Sequence, residues 1–228
     1  MRTLVVGGSS GIGLSIVLNL VGRESCDRVY VLDKAAFPDA YKSDKIVPAI
    51  CDLSLGDYSC LEGIDDIDAL YITAGFGHLK YFQELSEGYI QRSFAVNAIA
   101  PIQIIRHYYD RMLAEKDFTC GVMVSIAGRL SSPLFSVYSA TKAALNKFIE
   151  AVNVELDVQG SKNRILEVSP GSMKGTGFTG GVSNPDMTAE LAAEIIRRAE
   201  AHEELYIPQY EDSRKLSIFP AVTFSVTD

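Results

Sequence analysis

The 228-residue chain is short of the residues that build metal centres and disulfide frameworks. Its four cysteines, Cys26, Cys51, Cys60 and Cys120, include no C-x-x-C pair, and a chain this long needs no covalent staples. They are expected as reduced thiols. The three histidines, His78, His107 and His202, have no ligand-like spacing to one another or to a cysteine, so no metal site is expected. Basic charge is scarce as well: 21 Lys and Arg face 29 Asp and Glu, for a net charge of −8, and no local cluster offsets it. Phosphate-backbone binding needs such a patch, which excludes nucleic acid as a partner. The longest apolar runs, such as Leu4 to Val6 or the interrupted stretch from Ala95 to Ile105, fall well short of the roughly 18–20 residues that cross a bilayer. A Gly-rich turn follows the first few residues where an export signal would need its apolar stretch. A cytoplasmic protein that does not enter membranes is the expectation.

What is present is the composition of an ordinary globular protein, 47% hydrophobic and 22% charged. No repeat, low-complexity tract or Pro/Gly/Ser linker divides the chain, so residues 1–228 are expected to form one domain. Short β-branched runs alternate with longer helical patterns, the signature of a parallel sheet covered on both faces. Strands are expected near Thr3 to Val6, Arg28 to Leu32, Lys45 to Ile50, Ala69 to Thr73, Gly121 to Ser125, Arg164 to Ser169 and Leu205 to Ile207. Helices are expected at about Gly11 to Val21, Tyr89 to Leu113, Val137 to Leu156 and Thr188 to His202. The second and third are long enough to form a large helical face of the kind that joins two copies. The Gly-rich stretch 171–181 reads as part of a loop over an active site, which the expected boundaries place at about 172–187.

The first strand runs straight into VVGGSSGIG, with Gly7, Gly11 and Gly13 at the strand-to-helix turn and Ser9, Ser10 and Ile12 between them. A dinucleotide needs this turn because the backbone must bend sharply, approach the pyrophosphate without a Cβ in the way, and present helix N-terminal N–H groups to the anion. A second strand then ends at Asp33, twenty residues after Gly13, where a carboxylate can accept from the adenosine ribose hydroxyls. The same carboxylate repels a 2′-phosphate, so NAD is favoured over NADP; Lys34 beside it is the dissenting residue and keeps NADP open.

The second constellation is YSATK, which puts Tyr138 and Lys142 on one face of a helix. A phenol is a poor base near neutrality, and a cation held close lowers its pKa, which makes the pair a proton-transfer device. Ser125 ends an apolar strand thirteen residues earlier, where a sheet of this kind binds its ligands, and its hydroxyl can donate to a substrate oxygen.

With these motifs in this order the chain resembles the short-chain dehydrogenase/reductase family, single-domain branch. The resemblance is good over about Met1 to Gly171 and loose beyond it. It implies an α/β Rossmann-type fold, a doubly wound parallel sheet of about seven strands flanked by helices on both faces. By the same resemblance Asp52 and Leu53 face the adenine, and Asn97 in FAVNAIAP holds a water of the proton relay. Ala74 and Gly75 form the turn after the fourth strand. Pro170 and Gly171 border the nicotinamide, with Met173 and Thr176 following them. Two departures stand out. ITAG at Ile72 to Gly75 replaces the family's N-N-A-G, which removes a polar strand-end contact, and Thr176 comes one residue late. The tail lacks the family's V-D-G-G strand, so a homodimer through the long helices is expected and a tetramer is left open.

The implied activity is hydride exchange between a nicotinamide cofactor and a small-molecule carbonyl or secondary alcohol. Ser125, Tyr138, Lys142 and Asn97 are its catalytic residues. Against it stands a cofactor-binding regulator or scaffold on the same fold. All four catalytic-type residues are present here, and such a protein usually lacks one. A dehydratase or epimerase of the longer branch would need a substrate domain, for which too little chain follows Gly171.

Overall fold

A computed structural model describes residues 1–178 and 182–208. Seven parallel strands form one sheet in the order β3-β2-β1-β4-β5-β6-β7. They are β1 (Arg2–Val6), β2 (Arg28–Asp33), β3 (Ile46–Ile50), β4 (Ala69–Ile72), β5 (Thr119–Met123), β6 (Ile165–Val168) and β7 (Leu205–Tyr206). The order reverses between β1 and β4, which pair in register from Thr3 with Ala69 to Val6 with Ile72. That switch point is where loops leave the sheet in opposite directions and open a crevice at the strands' carboxyl ends.

Both faces are covered, as the apolar runs require. Helices α1 (Gly11–Val21) and α6 (Ala189–Glu200) pack on one face around Val5, Val17, Val31 and Leu166. The other face holds α2 (Glu87–Phe94), α3 (Ala100–His107), α4 (Tyr109–Leu113) and α5 (Ser136–Val158), packed over Leu4, Leu70, Val122 and Ile165. Helix α6 shows why its residues are helical: Leu191, Ala192, Ile195, Ile196 and Ala199 make one buried stripe, and Glu194 pairs with Arg197 and Arg198 outside it.

Two expectations need correction. The helix expected from Tyr89 to Leu113 is not continuous: a π-helical turn, Ala95–Ile99, interrupts it, and it breaks again at Tyr108. Pro101 begins α3 at a position where its missing N–H costs nothing, so the sequence accommodates the first interruption. The cysteines are not four free thiols either. Cys51 is joined to Cys60, with Cα atoms 6.1 Å apart, while Cys26 and Cys120 are free and buried. Irregular spacing hid this pair, because Gly56 (φ +68°) and two short 3-10 turns, Leu53–Leu55 and Ser59–Leu61, fold the intervening loop back. Thiol titration of the denatured protein, prepared without reductant, is expected to find two thiols; four would show that the bridge is not formed. Closing a ten-residue loop stabilises by about 2–3 kcal/mol, so Cys60→Ser should lower Tm by roughly 5–10 °C.

Candidate active site

The glycine turn is built as the sequence demands. Gly7 has φ +85° and Gly11 φ +52°, both left-handed. A Cβ on Gly7 would stand 2.5 Å from the Ala74 backbone nitrogen, and one on Gly13 would strike the Gly7 carbonyl oxygen. The turn therefore lies flat against the end of β4. Thr73 supplies the polar strand-end contact that ITAG seemed to lack: its hydroxyl donates to the carbonyls of Val6 (3.0 Å) and Gly7 (3.1 Å).

Asp33 sits beside this turn at the end of β2. Its carboxylate accepts from the backbone N–H groups of Ser9 and Ala35, both at 3.0 Å. Lys34 is exposed and lies close enough to Asp52 to lower that carboxyl's pKa. The larger causes of that lowering are both from Ser54, its side chain first and then its backbone N–H, which Asp52 accepts at 2.9 Å as the cap of a short turn. The Leu53 side chain is buried in the core. The Cys51 N–H donates to the Asp33 carbonyl (2.8 Å), which ties the bridged loop to the ribose side.

At the other end Tyr138 and Lys142 lie on the buried face of α5, not on its surface. They are 7% and 2% exposed, in a series that runs Val137, Tyr138, Thr141, Lys142, Leu145. Lys142 Nζ donates to the Met123 carbonyl (3.0 Å) at the end of β5, and a Cβ on Gly75 would be 3.3 Å from it. Asn97 lies in the π-helical turn, fully buried. Its Oδ1 accepts from the Phe76 N–H (3.0 Å), and its Nδ2 donates to the Phe76 carbonyl (2.8 Å) and Thr141 (3.2 Å). The π-turn aims this one side chain at both the turn after β4 and α5. Ser125 lies two residues past β5, accepts from the Ala127 N–H (3.1 Å), and donates to the Pro170 carbonyl (3.4 Å).

The electrostatics differ from the expectation that Lys142 lowers the Tyr138 pKa. Burial pushes the Tyr138 phenol up to about 12, partly offset by its hydrogen bond with Ser125. The ammonium lies 5.9 Å from the centre of the phenol ring, and burial pulls its own pKa down to about 8. By the protein's own groups alone, the phenol is a proton donor.

The described part of the loop after Gly171 bridges both ends. Thr176 lies over Gly11, with its Cβ 3.7 Å from where a Gly11 Cβ would be, and its hydroxyl donates to the Met173 carbonyl (3.0 Å). Phe178 packs on the Tyr138 ring. Ser183 Oγ accepts from the Gly11 N–H (2.6 Å). Residues 179–181 of the expected loop, and the tail after Pro208, lie outside the described residues.

The residues present fit a dinucleotide. The cradle at Gly7 and Gly13 excludes any Cβ, an oxygen acceptor already lies on the first N–H of α1, and Asp33 faces the same turn. Sequence reasoning missed one group here. Glu167, 2% exposed in the middle of β6, accepts from Arg129 Nη2 (2.7 Å), Asn146 and Ser169 (2.5 Å). The signal was visible as a lone carboxylate inside the apolar run ILEV, which must find partners.

The family described as short chain dehydrogenase matches residues 2–186. An uncharacterized short-chain type dehydrogenase/reductase of Sinorhizobium fredii, y4eK, is 29% identical over 95% of this chain and 90% of its own length. The uncharacterized oxidoreductase TDA5 of Saccharomyces cerevisiae is 27% identical over 86% of this chain, which spans 64% of that longer protein. A short-chain dehydrogenase from Sphingobium yanoikuyae, solved in complex with NADPH, shares the fold with a TM-score of 0.78 at 20% identity, over 94% of this chain and 90% of that one. Among the described residues no helix is long and apolar enough to cross a membrane. Sheet order, glycine turn and family match agree, and the chain belongs to the short-chain dehydrogenase/reductase family of nicotinamide-dependent oxidoreductases.

Proposed function

We propose that this chain, as one domain, interconverts a carbonyl compound and its secondary alcohol, with Ser125, Tyr138, Lys142 and Asn97 as the working residues. One observation carries the reading: Tyr138 and Lys142 are buried on the face of α5 that meets the ends of β4 and β5, with the ammonium 3.0 Å from the Met123 carbonyl. The bound nicotinamide supplies or takes up the hydride. Ser125 donates a hydrogen bond to the substrate oxygen, and Tyr138 gives that oxygen its proton in reduction and takes it back in oxidation. Lys142 binds the nicotinamide ribose and orients the phenol. Asn97 holds the β4 turn and α5 in register for the proton relay.

The dinucleotide is held by Gly7, Ser9, Ser10, Gly11, Ile12 and Gly13 at the pyrophosphate and by Asp33 at the ribose. Asp52 and Leu53 lie at the adenine, and Ala74, Gly75, Pro170, Gly171, Met173 and Thr176 border the nicotinamide half. NAD is favoured because the Asp33 carboxylate, already fixed by two N–H donors, opposes a 2′-phosphate. Parallel titrations with NADH and NADPH, followed by a carbonyl panel with the preferred one, test the whole reading. Tighter NADPH binding would reverse the cofactor preference, and binding without any turnover would favour a regulator. Asp33→Ser should move the NADPH-to-NADH affinity ratio about tenfold toward NADPH.

A cytoplasmic location and a homodimer through α5 and the interrupted helical stretch α2–α4 beside it complete the proposal. Val154 and Val158 on α5 and Ile99 beside it are apolar and largely exposed, as a face that meets a second copy requires. A monomer by light scattering at micromolar concentration would remove the dimer from it.

A further inference from the structure

Three segments converge on the Tyr138 ring, and their side chains are mostly apolar. Phe135, just before α5, lies with its ring centre 5.4 Å from that of Tyr138, and Phe178 lies 5.1 Å from it, both tilted. The third segment is the turn after β4. A Cβ on Gly77 would fall 2.9 Å from both Phe178 Cζ and Tyr138 Cδ2, so backbone and two rings are in close contact there. Gly77 meets the ring at Cγ and Cδ2, the end away from the hydroxyl, and the hydroxyl end is directed to Ser125.

The same turn continues outward as an apolar rim. Phe76 packs edge-on against Tyr89, and His78 stacks on Tyr89. Beyond them Leu79, Tyr81 and Phe82 are each more than half exposed. The Lys80 N–H donates to the Leu134 carbonyl (3.1 Å), which pins this rim to the segment that carries Phe135. Leu134 itself holds φ +67°, a conformation a leucine adopts only under constraint from its surroundings. Arg129, in the segment before α5, is engaged by Glu167, so the exposed Lys80 is the cation that the rim itself carries. Exposed aromatic and aliphatic side chains on the turn that meets the phenol ring at Gly77 are what a site needs to desolvate an apolar substituent.

Resting on the reading that the chain works on carbonyls, we infer that its substrates are bulky apolar ones, carrying an aryl or long alkyl group beside the carbonyl, and that Phe178 is the wall that selects them. The substituent lies between Phe178 and the rim of Leu79, Tyr81 and Phe82, while the carbonyl oxygen reaches Ser125 and Tyr138. A small carbonyl leaves this apolar surface in water and gains nothing from it.

The test compares kcat/KM for an aryl ketone and 2-decanone with that for acetone and pyruvate, using wild type, Phe178→Ala and Phe178→Tyr. Wild type is expected to prefer the bulky pair by roughly 100-fold or more. Phe178→Ala should cut that preference about tenfold, chiefly through KM, and Phe178→Tyr should retain it. NADH affinity and Tm, measured on each variant, show that fold and cofactor site persist. A preference for acetone or pyruvate, or a Phe178→Ala variant whose preference is unchanged, overturns the inference and leaves the oxidoreductase reading standing. Tight NADH binding with no carbonyl turned over sinks that underlying reading and this one with it.

Discussion

Replacing Tyr138 with Phe is expected to lower turnover by roughly 10³-fold while cofactor affinity stays within about twofold. The substitution removes one oxygen from a ring that Phe135 and Phe178 already clamp, so the geometry of α5 has no reason to change. What is lost is the proton donor. Burial holds that phenol at a pKa of about 12, so it is protonated throughout the neutral range and suited to give its proton to a carbonyl oxygen. Single-turnover rates with saturating NADH, alongside fluorescence titration of NADH, check both halves; turnover within tenfold of wild type would remove Tyr138 from the chemistry.

The same numbers give the reverse direction its sign. To act as a base Tyr138 must lose its proton against the cost of burying a phenolate, and the protein's nearest cation is Lys142, whose pKa burial lowers to about 8. The charge on Lys142 is therefore lost as pH rises through about 8, well before the phenol ionises on its own. Alcohol oxidation accordingly leans on the positive charge that the oxidised cofactor brings. For stability the sign is also fixed. The folded pKa lies below the ordinary 10.5, so the unfolded chain binds more protons between about 8 and 10.5, and stability through this group rises with pH across that window.

Much of this was legible in the residues because it depends on local backbone requirements. Gly7 and Gly13 announce a turn that tolerates no Cβ, Gly11 is left-handed within it, Asp33 lies one strand further on, and the β-branched runs fix a buried parallel sheet. The spacing of Tyr138 and Lys142 places them on one helical face, although only packing reveals that this face is the buried one. Less legible were features made by non-local pairing. The break at Tyr108 and the π-turn at Ala95–Ile99 leave little mark on an apolar pattern, because both neighbours remain helical. Cys51 and Cys60 meet only because the loop between them folds back, which no spacing rule encodes. The sequence shows Lys142 as a cation beside a phenol; the burial that raises the phenol's pKa and lowers the ammonium's is a property of the assembled site.

Glu167 is the position where a single change outside the proton-transfer pair should cost most. Its carboxylate joins three segments of the site: Arg129 from the Ser125 loop, Asn146 one turn beyond Lys142 on α5, and Ser169 just before the Pro170–Gly171 turn. Glu167→Leu leaves Arg129, 22% exposed at its side chain, with only the more distant Glu150 at 3.6 Å. Stranding one member of a buried ion pair costs about 3–5 kcal/mol; the partial exposure of Arg129 brings the expected loss to roughly 2–4 kcal/mol, a fall in Tm of about 5–15 °C. Turnover should fall with it even well below Tm, because the segment that carries Ser125 loses its side-chain tie at Arg129. Removing both charges, as Arg129→Met with Glu167→Leu, should recover most of the stability, since an apolar pair of similar volume avoids the desolvation penalty. It should not recover the turnover, because the side-chain link from Arg129 to β6 is then gone and only backbone bonds, such as that from the Val124 N–H to the Val168 carbonyl (2.7 Å), hold the Ser125 segment there. A single variant as stable as wild type, or a double variant with full activity, would show that the cluster fills space and does not position the site.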